Sequence, residues 1–221
     1  MDVLLLGAGG LGSAVALALV GAGITELIIV DDDQVSLSNL HRQVLHDISS
    51  VGMDKTASAV SHLCALTDDA LSIKTITQRL DTPEAIAAQA AGCRVIVDGT
   101  DNFQTRFAAN DAALKTGIPL VHGAVVGLHG QFMTIFPNET ACLRCLFDGP
   151  PDEEGATCRT QGVLGPVVGE MGWWMALEVA KLIHGQGQPM VNRLMTIDFH
   201  QGRRREVILR RRAGCSGCGH E

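Results

Sequence analysis

Seven cysteines are the most reactive side chains in this sequence, and four of them stand as two C-x-x-C pairs, Cys142 with Cys145 and Cys215 with Cys218. That spacing reads as a tetrahedral zinc site with four thiolate ligands more than as a disulfide framework or a redox pair. Four thiolates leave the metal no open position, so its role would be structural, tying the tail of the chain to its middle. A fifth, Cys158, follows the acidic, Pro- and Gly-rich residues 147–157, which read as a mobile loop, and it is flanked by Arg159. A neighbouring cation lowers a thiol pKa, so Cys158 is either a nucleophile that swings to a substrate or an inert exposed thiol. Cys64, on the apolar side of a helix, and Cys93, before a strand, read as core residues.

A second set of residues suits anion chemistry. Gly7, Gly9 and Gly12 fit G-x-G-x-x-G, a turn in which a Cβ would hold backbone amides away from a phosphate. A helix beginning near Gly10 would point its positive end at that phosphate. Asp31 ends the next strand about 20 residues on, where a carboxylate can accept from ribose hydroxyls. The polar residues 36–46 should lie as short turns over the mouth of the sheet and bring Asn39 and Arg42 to the phosphates. His41 and His46 read as packing or capping groups. Lys55 falls in the first turn of a helix over 54–66, where a cation opposes the helix dipole; either an anion is its partner or it is a solvated surface lysine. Asp101 sits just past the strand 94–97. A carboxylate facing a polyphosphate implies a magnesium ion between them, and the alternative is an N-cap on a helix over 102–116. Asp98 reads as a turn cap, and Arg106 as a partner for a carboxylate or a ligand.

The elements that must position these groups alternate as strands and helices. Strands are expected at 3–6, 27–30, 71–77, 94–97, 120–126, 129–136, 193–199 and 205–209, with helices from Gly10, over 54–66, 83–91 and 102–116, and along the apolar stretch 162–184. The Asp81-Thr82-Pro83 signal starts the third helix. Glycines in 162–184 imply close packing, and Trp173 and Trp174 read as core or subunit-interface groups. The predicted fold is α/β and Rossmann-like, a mostly parallel sheet with an antiparallel extension and the four-cysteine site. One domain over 1–221 is expected, with a nucleotide-binding half 1–117 and a carrier-binding and zinc half 118–221.

Composition narrows the classes. A net charge of −7 gives no basic field for nucleic acid, and with no Tyr and few Phe or Trp there is little to stack bases on. No apolar run is long enough to cross a membrane, and the sequence enters a strand without a basic leader, so a soluble cytoplasmic protein is expected. The basic run 210–212 is either a solvated strand end or a docking patch for an acidic partner.

Taken together, GAGGLG, Asp31, SLSNLHRQ, Lys55, GTDN, CLRC, TCRTQGVLGPVVGEMG and GCSGCG resemble the ubiquitin-activating-enzyme-like adenylyltransferases of the ThiF/MoeB/HesA family. The match covers almost the whole chain, with the motifs in the family's order. DDDQVSLSNLHRQ and CRTQGVLGPVVG are most similar to its thiamine-pathway branch, with the molybdopterin-pathway branch next. The resemblance implies ATP-dependent adenylation of the C-terminal Gly-Gly carboxylate of a small β-grasp sulfur carrier. It also implies a cysteine desulfurase or other sulfur donor as a further partner, and a homodimer. By motif match, Gly10, Asp31, Ser38, Asn39, Leu40, His41, Arg42, Lys55, Asp101 and Asn102 would bind ATP or its magnesium, with Arg42, Lys55 and Asp101 catalytic. The four paired cysteines would hold zinc, and Cys158 matches the loop cysteine that links covalently to the carrier in the thiamine branch. Family members normally carry an N-terminal helical segment whose arginine reaches a neighbouring subunit's ATP; this sequence opens at the strand, so that contact is not carried over. The rival readings are a nicotinamide-dependent oxidoreductase and a non-catalytic binding module on the same fold.

Overall fold

The run Val3–Leu6 (β1) is buried at all four positions, and its alternate side chains serve two different cores. Val3 and Leu5 join one apolar cluster and Leu4 and Leu6 the other, as expected of a central strand covered on both faces. The structure is a computed structural model that describes residues 1–68, 70–149 and 162–219. Its eight strands form one sheet in the order β3-β2-β1-β4-β5-β6-β7-β8. β1 pairs in parallel with Glu26–Val30 (β2) and Val95–Asp98 (β4), and β2 pairs in parallel with Ser72–Ile76 (β3). Leu120–Val126 (β5) continues the parallel run. From there His129–Ile135 (β6), Arg193–Asp198 (β7) and Arg203–Ile208 (β8) are antiparallel. This is the α/β architecture with an antiparallel extension that the pattern predicts.

Gly10–Gly21 (α1), Lys55–Cys64 (α2) and Gly165–His184 (α6) contribute to one core, and Pro83–Ala90 (α3) and Phe103–Thr116 (α4) to the other. Thr82 caps α3 through the Ala85 N–H with proline following, as the sequence signal requires. Asn102, not Asp101, caps α4, its side chain accepting from the Thr105 N–H. That removes the N-cap alternative for Asp101. The long helix starts at Gly165 rather than at 162, because Val163 is bridged to Gly127 beside β5.

Gly172 makes the crossing of α1 and α6 possible: a Cβ there would lie 2.6 Å from Ala14 Cβ and 2.9 Å from the Leu11 carbonyl oxygen. The two tryptophans of α6 differ in burial. Trp173 is 62% exposed, so it is not core, and of its two readings the subunit-interface one remains. Trp174 is partly buried, stacked on Phe132 at 6.2 Å between centroids. Cys64 is exposed as well, because α2 turns Thr56, Ala59 and Leu63 inward and leaves its last residue out; Cys93 is buried as expected.

The turn after β1 is held from two sides. Asp31 Oδ2 accepts from the Ala8 N–H at 2.7 Å, and His46 Nε2 lies 2.9 Å from the Ala8 carbonyl oxygen. The other nitrogen of His46 meets Ser58 Oγ at 2.9 Å, so this buried ring is a packing group, as read. Burial pushes its imidazole down from the ordinary value, so the folded protein keeps it neutral.

Two outcomes follow from these contacts. Gly172→Val should cost about 1–3 kcal/mol in urea unfolding through overpacking, while Gly169→Ala, with nothing within 4 Å, should be neutral or stabilising. Below a pH of about 6.5 the unfolded His46 takes up a proton that the folded ring resists, so stability falls on acidification. His46→Gln should remove that part of the acid loss, read as unfolding midpoints across pH.

Candidate functional site

Strand order changes direction between β1 and β4, and the crevice beyond their carboxyl ends is where open α/β sheets take ligands. A hollow of about 340 Å³ lies there. Its floor is the glycine turn. Gly7 has a positive φ of 91°, and a Cβ on Gly12 would fall 1.9 Å from the Gly7 carbonyl oxygen, so only glycine lets the helix start this close to the strand. Gly9 and Gly10 line the hollow.

Lys55 is 4% exposed, which rules out the solvated reading. Its Nζ lies 2.8 Å from Asp33 Oδ2 and 3.6 Å from Asp31 Oδ1. Asp31 itself accepts from two N–H groups, those of Ala8 and Asp33. Burial pushes the Asp31 carboxyl up, and Lys55 and the two N–H donors offset part of that rise. On the facing side, Arg42 Nη2 donates to Asn39 Oδ1 at 2.7 Å, which fixes the guanidinium toward the hollow. Arg79 pairs with Asp32 at the rim, and Asp101 stands exposed on the wall with its charge reaching Arg79.

Two buried polar atoms of this hollow have no protein partner among the described residues, Gln43 Oε1 and Thr105 Oγ1. A buried polar atom left unpaired is costly, so both are suited to a polar ligand. Arg106 pairs with no carboxylate among the described residues; its Nε and Nη2 donate to the Thr100 carbonyl oxygen, and its guanidinium stacks 5.2 Å from the Phe103 ring centre. Arg106 also lines a second hollow of about 800 Å³, formed by the outer part of the sheet, the start of α4 and residues 147–149. Between the two hollows lies Asp98, fully buried. Its Oδ1 accepts from the Thr100 N–H and hydroxyl, and its Oδ2 meets His122 Nδ1 at 2.7 Å. Burial alone would raise this carboxyl, but the His122 hydrogen bond and the charges of His122 and Arg106 outweigh it and hold it low.

The four paired cysteines converge on the far side of α4. Their sulfurs all lie within 4.8 Å of one another, with separations of 4.0 Å for Cys142–Cys145, 3.7 Å for Cys142–Cys215 and 3.3 Å for Cys145–Cys218. Sulfurs at about 2.3 Å from a tetrahedral metal would stand about 3.8 Å apart, so this cluster could hold a metal ion. Burial pushes the Cys142 and Cys145 thiols up and opposes ionisation of Cys215 too, but there the Cys218 and Gly217 N–H groups and neighbouring thiols bring the thiol down to about 6. Cys142 and Cys145 belong to Leu143–Leu146 (α5) and its cap. Arg211 donates to the Asn138 and Cys218 carbonyl oxygens and Arg212 to the Arg144 carbonyl oxygen. Two arginines of the basic run are thus fastened to the cysteine knuckle, neither a free strand end nor an open patch.

Of the residues singled out from sequence, Gly7, Gly9, Gly10, Asp31, Asn39, Arg42, Lys55, Asp101 and Asn102 line the first hollow together. Gly12 lies behind the turn. Ser38, Leu40 and His41 do not line the hollow: Ser38 Oγ is spent on Ser36 Oγ, and His41 is exposed with one 3.4 Å contact to Arg42, so it neither packs nor caps. Cys158 and most of the loop 147–157 lie outside the described residues. Sequence reading missed Asp33, Gln43, Arg79 and Thr105, and it missed the Asp98–His122 pair, although both members break an apolar alternation two residues past Ile96 and Leu120.

Among the described residues, no helix is long and apolar enough to cross a membrane. A sulfur carrier protein ThiS adenylyltransferase of Escherichia coli (strain K12) is 40% identical over 219 residues, covering 99% of this chain and 86% of that protein. A SAMP-activating enzyme E1 of Haloferax volcanii is 39% identical over 219 residues, covering 98% and 80%. An adenylyltransferase and sulfurtransferase MOCS3 of Aedes aegypti is 41% identical over 220 residues, and the chain spans 50% of its length. In fold, Escherichia coli MccB with ATP superposes on 99% of the chain and 66% of MccB at a TM-score of 0.86, with 23% identity. The ThiF family model matches residues 1–217. With that match and these relatives beside the glycine turn and the cysteine cluster, the chain belongs to the ThiF family.

Proposed function

We propose that this chain is an ATP-dependent adenylyltransferase that activates the C-terminal Gly-Gly carboxylate of a small β-grasp sulfur carrier and releases pyrophosphate. One observation carries the reading: Arg42, Lys55 and Asp101 share a single hollow with the glycine turn, and a larger hollow opens beside it at Arg106. ATP suits the first hollow and the carrier's tail the second. A carboxylate attacking a phosphate meets like charge, so the barrier is mainly electrostatic, and no base is needed because the nucleophile is already ionised. Arg42, held by Asn39, and Lys55, held by Asp33, stand where charge builds on the phosphates. The cations of the hollow, Arg42, Lys55, Arg79 and Arg106, are matched by Asp31, Asp32, Asp33 and Asp101, so they do not by themselves neutralise a triphosphate. Asp101 offers the oxygen ligand that a magnesium ion takes, and such an ion would supply Lewis-acid charge neutralisation. Thiolate donors at the observed separations suit zinc, which would fasten the tail.

Thiamine supply is the pathway we infer, on the 40% identity to the ThiS adenylyltransferase. The MOCS3 relative at 41% favours, as a second reading, the same reaction on a molybdopterin-type carrier. Cys158, by its motif, is proposed to link to the activated carrier, with a cysteine desulfurase or similar donor supplying sulfur. The exposed Trp173 and Leu177 on α6 suit cover by a second copy of the chain, and a cytoplasmic setting accords with thiolate ligands.

Arg42→Ala should lower carrier-dependent ATP–pyrophosphate exchange about 10²–10³-fold with its circular dichroism unchanged. Unaltered exchange would take Arg42 out of the site. Absence of exchange with thiamine-type, molybdopterin-type and SAMP-type carriers alike would return the chain to the binding-module reading. Elemental analysis should find one zinc per wild-type chain and none in Cys215→Ser, whose unfolding temperature should drop; equal zinc in both would dismiss the four-thiolate site.

A further inference from the structure

Adenylation leaves one buried titratable pair without a task. Asp98 ends β4, and the parallel register sets His122 of β5 directly beside it. Both are almost fully buried, yet His122 lines the second hollow while its Nδ1 is spent on Asp98. An ionised carboxylate can only accept, so Nδ1 carries the hydrogen, and the only site left on the ring to take up a proton is Nε2, on its other side. Asp98 is in turn fixed by two bonds from Thr100, whose carbonyl oxygen holds Arg106, the side chain common to both hollows. An oriented imidazole, backed by a buried carboxylate, thus lines the second hollow together with Arg106, which lines both. Around it the hollow presents the cations Arg106, Arg203 and Arg205, the carboxylates of Asp148 and Asp198, and His129.

We propose that His122, oriented by Asp98, is the general base for the step after adenylation, in which a thiol takes the acyl group from the adenylate. The inference rests on the adenylation reading above. In this step the thiol sulfur bonds to the acyl carbon, the bond from that carbon to the phosphate oxygen breaks, and AMP leaves as its phosphate anion. The thiol's proton passes to His122 Nε2. No oxidant or reductant is required, and the product is a thioester of the carrier. A base is needed here and not before, because an alkyl thiol is mostly protonated near neutrality whereas the carboxylate of the first step is already ionised.

The test compares wild type with His122→Asn, full chain, ATP and carrier, following thioester formation by mass spectrometry in single turnover with two thiols. One is an alkyl thiol, 2-mercaptoethanol; the other is an aryl thiol already ionised at the assay pH. Transfer to the alkyl thiol should fall about 10²–10⁴-fold, well beyond any loss in pyrophosphate exchange, and the aryl thiol should restore it to within a few-fold of wild type. Equal losses with both thiols, or transfer falling only in step with exchange, would make His122 a structural residue and overturn the proposal. Should the variant not fold, the wild type decides: a solvent deuterium isotope effect with the alkyl thiol and none with the aryl thiol is expected, and equal effects overturn it. Wild type that exchanges pyrophosphate but shows no such difference sinks the base alone, whereas wild type without exchange sinks the adenylation reading and the base with it.

Discussion

The carboxylate of Asp31 is the constraint on which the site depends. It binds the Ala8 N–H of the turn after β1, the Asp33 N–H of its own loop and, at 3.6 Å, the ammonium of Lys55 on α2. Three segments far apart in the chain are therefore fastened at one point, and that point is the edge of the ligand hollow. Such an arrangement is expensive to assemble, since both Asp31 and Lys55 leave water, and the Ala8 and Asp33 N–H groups and the Asp33 carboxylate offset that cost. Lys55 in the first turn of a helix makes local sense only in this setting: Asp31 and Asp33 supply the negative charge that the helix dipole there does not repel.

The same logic governs the boundary between the two hollows. Among the described residues Asp98 has no lysine or arginine in salt-bridge contact, and it is kept ionised by an imidazole, a hydroxyl and an N–H. Through Thr100 it sets Arg106, so the side chain that touches both hollows is positioned by a residue that reaches neither solvent nor ligand space. A chain of hydrogen bonds of this kind transmits geometry with little slack, because its members Asp98, His122 and Arg106 are packed and buried. Chemistry on a nucleotide and chemistry on a tail could share one rigid partition.

The cysteine knuckle works at longer range. It docks against α4, where Asn110 accepts from the Leu143 N–H and Asp111 holds Arg144 with two bonds. The antiparallel strands β6 to β8 follow the parallel half of the sheet, and the knuckle ties the segment after β6 and the segment after β8 back to it. Arg211 and Arg212 reinforce that tie beyond the end of β8, whose residues are all exposed and whose Arg204 pairs with Glu170 and lies over the Trp174 ring.

Local sequence determined most of the scaffold. The apolar runs of β1, β2 and β4, the cap and proline before α3, the glycines of the first turn and the two C-x-x-C pairs each act within a few residues, so their signals survive in one dimension. Residues 38–42 carried a motif, but only the fold decided that Asn39 and Arg42 face the hollow while Ser38 and His41 do not, because a short 3-10 turn sends neighbours in opposite directions. The fold likewise decided that Lys55 is buried, that Cys64 and Trp173 are exposed, and that Asp98 meets His122 across two strands. Burial and partnership of a charged group depend on segments tens of residues away, and no local pattern of spacing or propensity carries that information.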